Sequence, residues 1–179
     1  MAKDFIPRYT LEDYKHWEGD WELIDGIPYA MAPSPVWKHQ RLSLLLAKQI
    51  EEQLENCTAK CFVCQEVDWI VNENTVVRPD IVVVCGKVEG DEHLKKVPEV
   101  IFEIVSKATV FKDEKVKFKL YEEEGVKYYV LVYPDRRNIK IFELKDDKYG
   151  KVFEGGEGKF TFSLECPLTL EFTAIWKRI

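Results

Sequence analysis

No run of about 18 apolar residues occurs in the 179-residue sequence, which excludes a membrane-spanning helix. The opening Met-Ala-Lys-Asp-Phe-Ile-Pro lacks the apolar stretch of a signal peptide, so a soluble, cytoplasmic protein is expected. Positive charge is also short: 26 Lys and Arg against 32 Asp and Glu leave a net charge of −6. That balance argues against bulk adhesion to nucleic acid or an anionic membrane, and a polyanionic substrate would need a local basic patch or a metal ion. The five cysteines are an odd number in a chain that can fold without staples, so reduced, inert thiols are expected. Cys61-x-x-Cys64 has no second pair at finger spacing, and strand positions i and i+3 point to opposite faces, which argues against a zinc finger. Neither a Gly-x-Ser-x-Gly elbow nor a nucleophilic-cysteine signature occurs, which argues against a Ser or Cys hydrolase.

What the sequence does have is a core and a solvated surface. At 46% hydrophobic, 13% aromatic and 32% charged, it is expected to form one domain over residues 1–179 that buries roughly 70% of its unfolded surface. Thr10 with Asp13 three residues on predicts a short opening helix. Trp21 to Met31 alternates polar and apolar residues around Asp25-Gly26 and predicts a hairpin. Ser34-Pro35 marks a helix start, and Leu42, Leu44, Leu45, Leu46, Ile50 and Leu54 carry an apolar stripe to about Asn56. Lys60 to Val71 is rich in strand formers, and after a turn at Asn72-Glu73-Asn74 the run Val76 to Val84 predicts a central strand. A loop from Gly86 to Pro98 precedes a strand over Val100–Val105, a helix over 109–124 that stops at Gly125, and a strand over Tyr128–Tyr133. Beyond Pro134, 138–144, 149–153 and 160–162 read as antiparallel strands. The sum is an α/β (α+β mixed) chain with a mixed central sheet flanked by helices and extra antiparallel strands at both ends.

Two carboxylates stand where apolar residues dominate. Asp80, in Arg78-Pro79-Asp80, opens the most apolar strand and either caps its end or is held there for use. Glu103 lies inside VIFEIV, where a lone glutamate needs a partner, unless the strand is an edge and the side chain faces solvent. On neighbouring strands about 4.8 Å apart, the two could share one hard divalent cation. In the next helix Asp113, Lys117 and Tyr121 recur at i, i+4 and i+8, within one stripe of its surface. Lys117 can then face the metal, or form a surface pair with Asp113 worth about 0.3 kcal/mol. Lys107, Lys112, Lys115 and Lys119 around it make a candidate phosphate-facing patch, or simply a solvated face.

Glu22-Leu-Ile-Asp-Gly, Ser34-Pro with His39 on the following helix, Arg78-Pro79-Asp80, Glu103 in a strand ending at Ser106, and Asp113-xxx-Lys117-xxx-Tyr121-xxx-Gly125-Val together resemble the Uma-two family. That family is placed among the PD-(D/E)XK nucleases, with a restriction-endonuclease-like core, and the resemblance runs from about residue 9 to 175. It implies that Asp80 and Glu103 are the acidic pair of the superfamily motif. The lysine expected two residues after the second acid is Val105 here, and the resemblance assigns its role to Lys117. Glu22 matches the family's early acid and is a candidate ligand for a second metal ion, or an ordinary strand residue. His39 is a candidate for orienting a phosphate or for capping its helix, and Glu66 is a candidate additional ligand.

The function expected on these grounds is Mg²⁺- or Mn²⁺-dependent cleavage of DNA, with Asp80 and Glu103 as metal ligands and Lys117 as the displaced catalytic lysine. Lys112, Lys115 and Lys119, with Arg41, Arg136 and Arg137, would contact the DNA backbone. The alternative is a binding or assembly module that keeps the nuclease fold without turnover, possible as a homodimer joined through Phe153, Phe160, Phe162, Phe172 and Trp176.

Overall fold

Asp25 and Gly26 turn with φ of 51° and 74°, the left-handed pair that matches the twist of a tight hairpin. They join β1 (Trp21–Ile24) to β2 (Ile27–Ala30). The computed structural model describes residues 6–31 and 35–179, so the expected helix start at Ser34 lies outside the described residues. Ahead of the hairpin, Thr10 and Asp13 form a reciprocal capping box on α1 (Leu11–Tyr14). Behind it, α2 (Trp37–Leu54) buries Leu42, Leu45, Leu46, Ile50 and Leu54, while Leu44 points to solvent from the opposite face.

The apolar run from Val76 to Val84 is two strands, not one. Pro79 has no N–H to give a ladder, and the chain breaks at Arg78-Pro79-Asp80 into β5 (Thr75–Val77) and β6 (Ile81–Val84), which enter different sheets. The stretch from Lys60 to Val71 divides likewise into β3 (Phe62–Gln65) and β4 (Trp69–Asn72). After β7 (Val100–Ile104) comes a helical segment, then β8 (Tyr128–Tyr133), β9 (Asn138–Lys145) and β10 (Lys148–Gly155). The larger sheet has the order β10-β9-β8-β7-β6-β3, and the smaller has the order β2-β1-β5-β4. Strands β7 and β8 run parallel, which requires the helical crossover between them; their other neighbours in the sheet run antiparallel.

That crossover was expected as one α-helix from 109 to 124. It is instead a π-helical turn over Lys112–Lys117 that runs into α3 (Phe118–Glu123) and ends at Gly125, whose φ of 82° suits a residue without Cβ. The chain closes with the hairpin of β11 (Lys159–Phe162) and β12 (Leu168–Glu171) and with α4 (Phe172–Trp176).

Alternate residues of β6, β7 and β8 fill two cores, one on each face of the large sheet. Ile81, Val83, Phe102, Ile104 and Val130 pack with α2, the β11–β12 hairpin and α4; Val82, Val84, Ile101 and Leu131 pack with Trp69, Leu120 and Tyr121. Phe162, Phe172 and Trp176 are buried in the first core, with Phe153 and Phe160 packed against it. The aromatics expected to join two copies therefore fill this chain's own interior, and Phe172 and Trp176 are helical rather than strand residues.

The cysteines also depart from expectation. Cys57 is bonded to Cys166 and Cys61 to Cys85, which leaves Cys64 as the free thiol. Folding supplies the reason: extending the β3–β6 register past Phe62↔Val84 sets Cys61 opposite Cys85, and the chain leaving α2 meets the segment entering β12.

Candidate active site

The break at Pro79 delivers Asp80 to the start of β6. Extending the β6–β7 register past Ile81↔Phe102 places Asp80 opposite Glu103, and facing residues of an antiparallel pair share one face of the sheet. Asp80 Oδ2 accepts the backbone N–H of Ile104 at 2.6 Å, and its Oδ1 lies 3.2 Å from His39 Nε2. Glu103 is only 4% exposed, and its Oε1 accepts hydrogen bonds from Lys117 Nζ at 2.8 Å and from the Tyr121 hydroxyl at 2.9 Å.

Lys117 is 2% exposed and makes a second ion pair, 2.7 Å from Glu22 Oε1. Glu22 is fully buried; its Oε1 also accepts the N–H of Arg78 at 2.9 Å, and its Oε2 accepts Lys112 Nζ at 2.6 Å. Both Glu22 oxygens are thus engaged, so the residue anchors the two lysines, and a second metal ion there would have to share it with Lys112 and Lys117. Lys112 departs from expectation: it was expected among the DNA-facing lysines and turns inward. The π turn explains this, since residues five apart are rotated by about 140° on an α-helix but nearly stack where each turn takes an extra residue. Lys115 and Lys119 stay exposed, and Lys119 pairs loosely with Glu123.

Asp113 is buried on the same turn as Lys117, and Tyr129 donates its hydroxyl to the Asp113 backbone oxygen at 2.9 Å. Glu66 sits at the rim, exposed, with a positive φ of 51°; its N–H reaches the Asp80 carbonyl at 3.2 Å and its carboxylate accepts Gln40 Nε2 at 3.4 Å. A second ion cluster escaped the sequence reading. Arg78 binds Asp68 at 2.7 Å and Asp20 at 2.6 Å, and the Tyr14 hydroxyl donates to Asp68 at 3.0 Å. Arg78 within the Arg-Pro-Asp motif was its one sequence signal, because the partners arrive from the residue before β4, from the turn before β1 and from α1.

Electrostatics divides the acids into two kinds. Burial alone would raise the Glu22 carboxyl, but Lys117 and Lys112 hold it below the ordinary range. Burial raises Glu103 well above that range despite Lys117, and the charges of Asp80, Asp113 and Glu22 push it further. Burial likewise pushes Asp113 up to about 6, with Lys117 and a Thr109 hydrogen bond opposing. Burial disfavours the charged form of Lys117, yet Glu103, Glu22 and Asp113 hold its pKa well above the usual lysine value, so it stays an ammonium. Burial lowers His39, and Asp80, Glu66 and Asp113 outweigh it, for a net rise. Four carboxyl groups thus crowd around two buried or half-buried lysines, and the raised Glu103 and Asp113 are the ones that a neighbouring cation would favour in the charged form. Hard oxygen donors of this kind suit a divalent cation of the Mg²⁺ or Mn²⁺ class.

A family model described as "Putative restriction endonuclease", Uma2, matches residues 11–173. The chain belongs to the Uma2 family. Among solved structures, a "putative nuclease belonging to DUF820" from Anabaena variabilis is similar, with a TM-score of 0.75 over 94% of this chain and 97% of that one, at 15% identity. At that identity the likeness establishes the fold, and the mixed sheet with its restriction-endonuclease-like arrangement is as expected from the sequence. No curated protein matches the chain. Within the Uma2 fold, Val105 points into the second core, so position 105 supplies no cation beside Glu103.

Proposed function

We propose that this Uma2 protein is a metal-dependent DNA endonuclease, with Asp80 and Glu103 as ligands for Mg²⁺ or Mn²⁺ and Lys117 in the role of the lysine missing at position 105. The observation that carries this is the Lys117 ammonium, buried and 2.8 Å from Glu103 Oε1: a lysine from the crossover helix reaches the acid that the strand itself leaves without a cation.

The chain's own residues prepare the site. The Ile104 N–H and His39 fix Asp80, while Lys117 and Tyr121 fix Glu103 through the same oxygen, Oε1. Both carboxylates are therefore held in place before substrate arrives, which removes the reorganisation that catalysis would otherwise require. A bound cation supplies polarisation of the scissile phosphate and a lowered pKa for its water. Lys117 stays protonated, so it donates hydrogen bonds and offsets charge that grows on the phosphate oxygens, rather than removing a proton. Glu22 holds that ammonium from the other side and makes its position independent of substrate. Exposed Lys115 and Lys119 are available for the DNA backbone.

The test is plasmid nicking with Mn²⁺ by the purified protein and by Asp80→Asn. Nicking that persists unchanged in Asp80→Asn would remove Asp80 from the mechanism. The alternative, a nuclease-fold module without turnover, is favoured by one feature: Glu22, Lys112, Lys117 and Glu103 already satisfy one another as a closed ion-pair network. Failure of Mg²⁺ and Mn²⁺ to bind at all would support that reading.

A further inference from the structure

Four cysteines meet at the corner of the fold furthest along β6 from Asp80. Cys57 follows α2, Cys61 precedes β3, Cys85 follows β6 and Cys166 precedes β12. The sulfurs of Cys57, Cys61 and Cys166 all lie within 4.8 Å of one another, and Cys85 is bonded to Cys61. We propose that these four thiols, when reduced, form a tetrathiolate site for one Zn²⁺.

The spacing fits a single ion. A tetrahedral zinc with Zn–S of about 2.3 Å sets its sulfurs about 3.8 Å apart, so each bonded pair would open by about 2 Å on reduction, while the sulfurs of Cys57, Cys61 and Cys166 already lie within 4.8 Å of one another. Cys57-x-x-x-Cys61 falls within the two to four intervening residues usual for a structural zinc pair. Both cysteine-bearing turns are preformed: Lys60 takes φ of 53°, Gly86 takes φ of 83°, and the Gly86 N–H donates to the carbonyls of Ala59 and Lys60. The two turns thus hold each other without any bond between sulfurs.

Charge and burial agree with this. Four thiolates around Zn²⁺ carry a net charge of −2, and the Lys96 ammonium is hydrogen-bonded to the Cys85 carbonyl at the site's edge. Cys61 and Cys85 are buried while Cys57 and Cys166 are half-buried, which gives a closed floor and a rim through which an ion can enter. A site with four protein ligands and no open position is structural rather than catalytic. It would staple the C-terminal β11–β12–α4 unit to the end of α2 and to the large sheet.

The chemistry balances with a thiol reductant. Two equivalents of a dithiol are oxidised and deliver four electrons and four protons to the two disulfides, which yields four thiols. Binding Zn²⁺ then forms four Zn–S bonds and releases up to four protons. A reducing compartment with zinc would hold the metal form, and an oxidising one the paired disulfides.

The experiment is to reduce the full chain with a dithiol, remove the reductant without oxygen, and titrate with Zn²⁺ and separately with Co²⁺. One equivalent of Zn²⁺ per chain is expected, and Co²⁺ should give sulfur-to-metal charge transfer with the strong visible bands of a tetrahedral thiolate complex. Cys166→Ser should weaken Zn²⁺ binding by about 100-fold or more, while Cys64→Ser should not change it. A weak, six-coordinate Co²⁺ spectrum would mean carboxylate binding only and overturn the proposal, as would Cys166→Ser binding Zn²⁺ as tightly as the unaltered chain. Should Cys166→Ser fail to fold, the Co²⁺ spectrum of the unaltered chain still decides.

Discussion

Strand β6 is four residues long and carries opposite chemistries at its two ends. Asp80 at its start lies opposite Glu103, which Lys117 holds, and beside His39; Cys85 at its end is bonded to Cys61, whose sulfur lies within 4.8 Å of those of Cys57 and Cys166. Five residues of strand set the two about 17 Å apart. On the two proposals above, the hard end would take Mg²⁺ or Mn²⁺ and the soft end Zn²⁺, so one short buried strand would serve two metals without competition between the sites. The ends also differ in how they are held. The acidic end relies on buried ion pairs, which are costly to break, and the sulfur end on links between segments far apart in the chain.

The largest expected effect separates those two kinds of support. The Cys57–Cys166 link closes a loop of about 110 residues, and the chain-entropy model assigns such a closure about 5 kcal/mol. Reduction in the presence of a chelator also opens the shorter Cys61–Cys85 loop, so it should lower unfolding stability by about that amount or more, and Zn²⁺ should restore part of it. Equal stability of the reduced, metal-free chain in urea denaturation would show that packing alone holds this corner.

At the acidic end, Lys117→Ala leaves Glu22 and Glu103 buried without their shared cation. A loss of about 3–5 kcal/mol is expected from uncompensated buried charge, together with a fall in single-turnover cleavage of about 100-fold and nearly unchanged metal affinity. Lys115→Ala and Lys119→Ala, at exposed positions, should weaken DNA binding modestly and in a salt-dependent way. Equal losses of cleavage in all three variants would make the helix a mere electrostatic surface and end the displaced-lysine mechanism.

The next effect is a pH dependence confined to that end. Burial pushes the Asp113 carboxyl up to about 6 in the folded protein, from 3.8 for an ordinary aspartate. The folded state therefore keeps a proton that the unfolded chain has lost, and stability falls as pH rises from about 4 to 6. Over the whole of both transitions that difference corresponds to about 3 kcal/mol. Asp113→Asn stays neutral and escapes this fall, so in metal-free buffer its stability relative to the unaltered chain should grow by about 2 kcal/mol between pH 4 and pH 7, part of the change having already occurred by pH 4. A constant difference across that range would mean that Asp113 titrates normally.

The two ends also differ in how far they could be read from sequence. Asp80 and Glu103 stood out because each interrupts an apolar run, and a two-residue period carries such an acid to a known face of the sheet. The hairpin at Asp25-Gly26, the capping box at Thr10 and the end of the helix at Gly125 were legible for a similar reason: each is decided within four residues. Lys112 was misplaced because hydrophobic periodicity does not reveal where an α-helix takes on a π turn. The break at Pro79 was visible as a residue, but the departure of β5 to a second sheet depends on β1, some fifty residues earlier. The cysteine cluster joins positions 57, 61, 85 and 166, and no local spacing reports an encounter made by four separate elements.

The smallest expected effect asks whether β6 transmits anything between its ends. All four of its residues are fully buried, and its neighbours β3 and β7 hold it on both sides, so displacement at one end would have to move a packed sheet to reach the other. Sites more than about 10 Å apart with no shared partner usually add within 0.5 kcal/mol. Asp80→Asn and Cys57→Ser should therefore give a coupling energy below about 0.5 kcal/mol in a double-mutant cycle followed by urea denaturation of the metal-free chain. Asp80→Asn removes a charge beside His39 and the Ile104 N–H, and Cys57→Ser removes the long loop closure; no hydrogen bond or ion pair joins these groups among the described residues. A coupling of about 1 kcal/mol or more would mean that β6 is a lever rather than a fixed beam, and the redox or zinc state of the sulfur corner would then bear on how the acidic end holds its carboxylates.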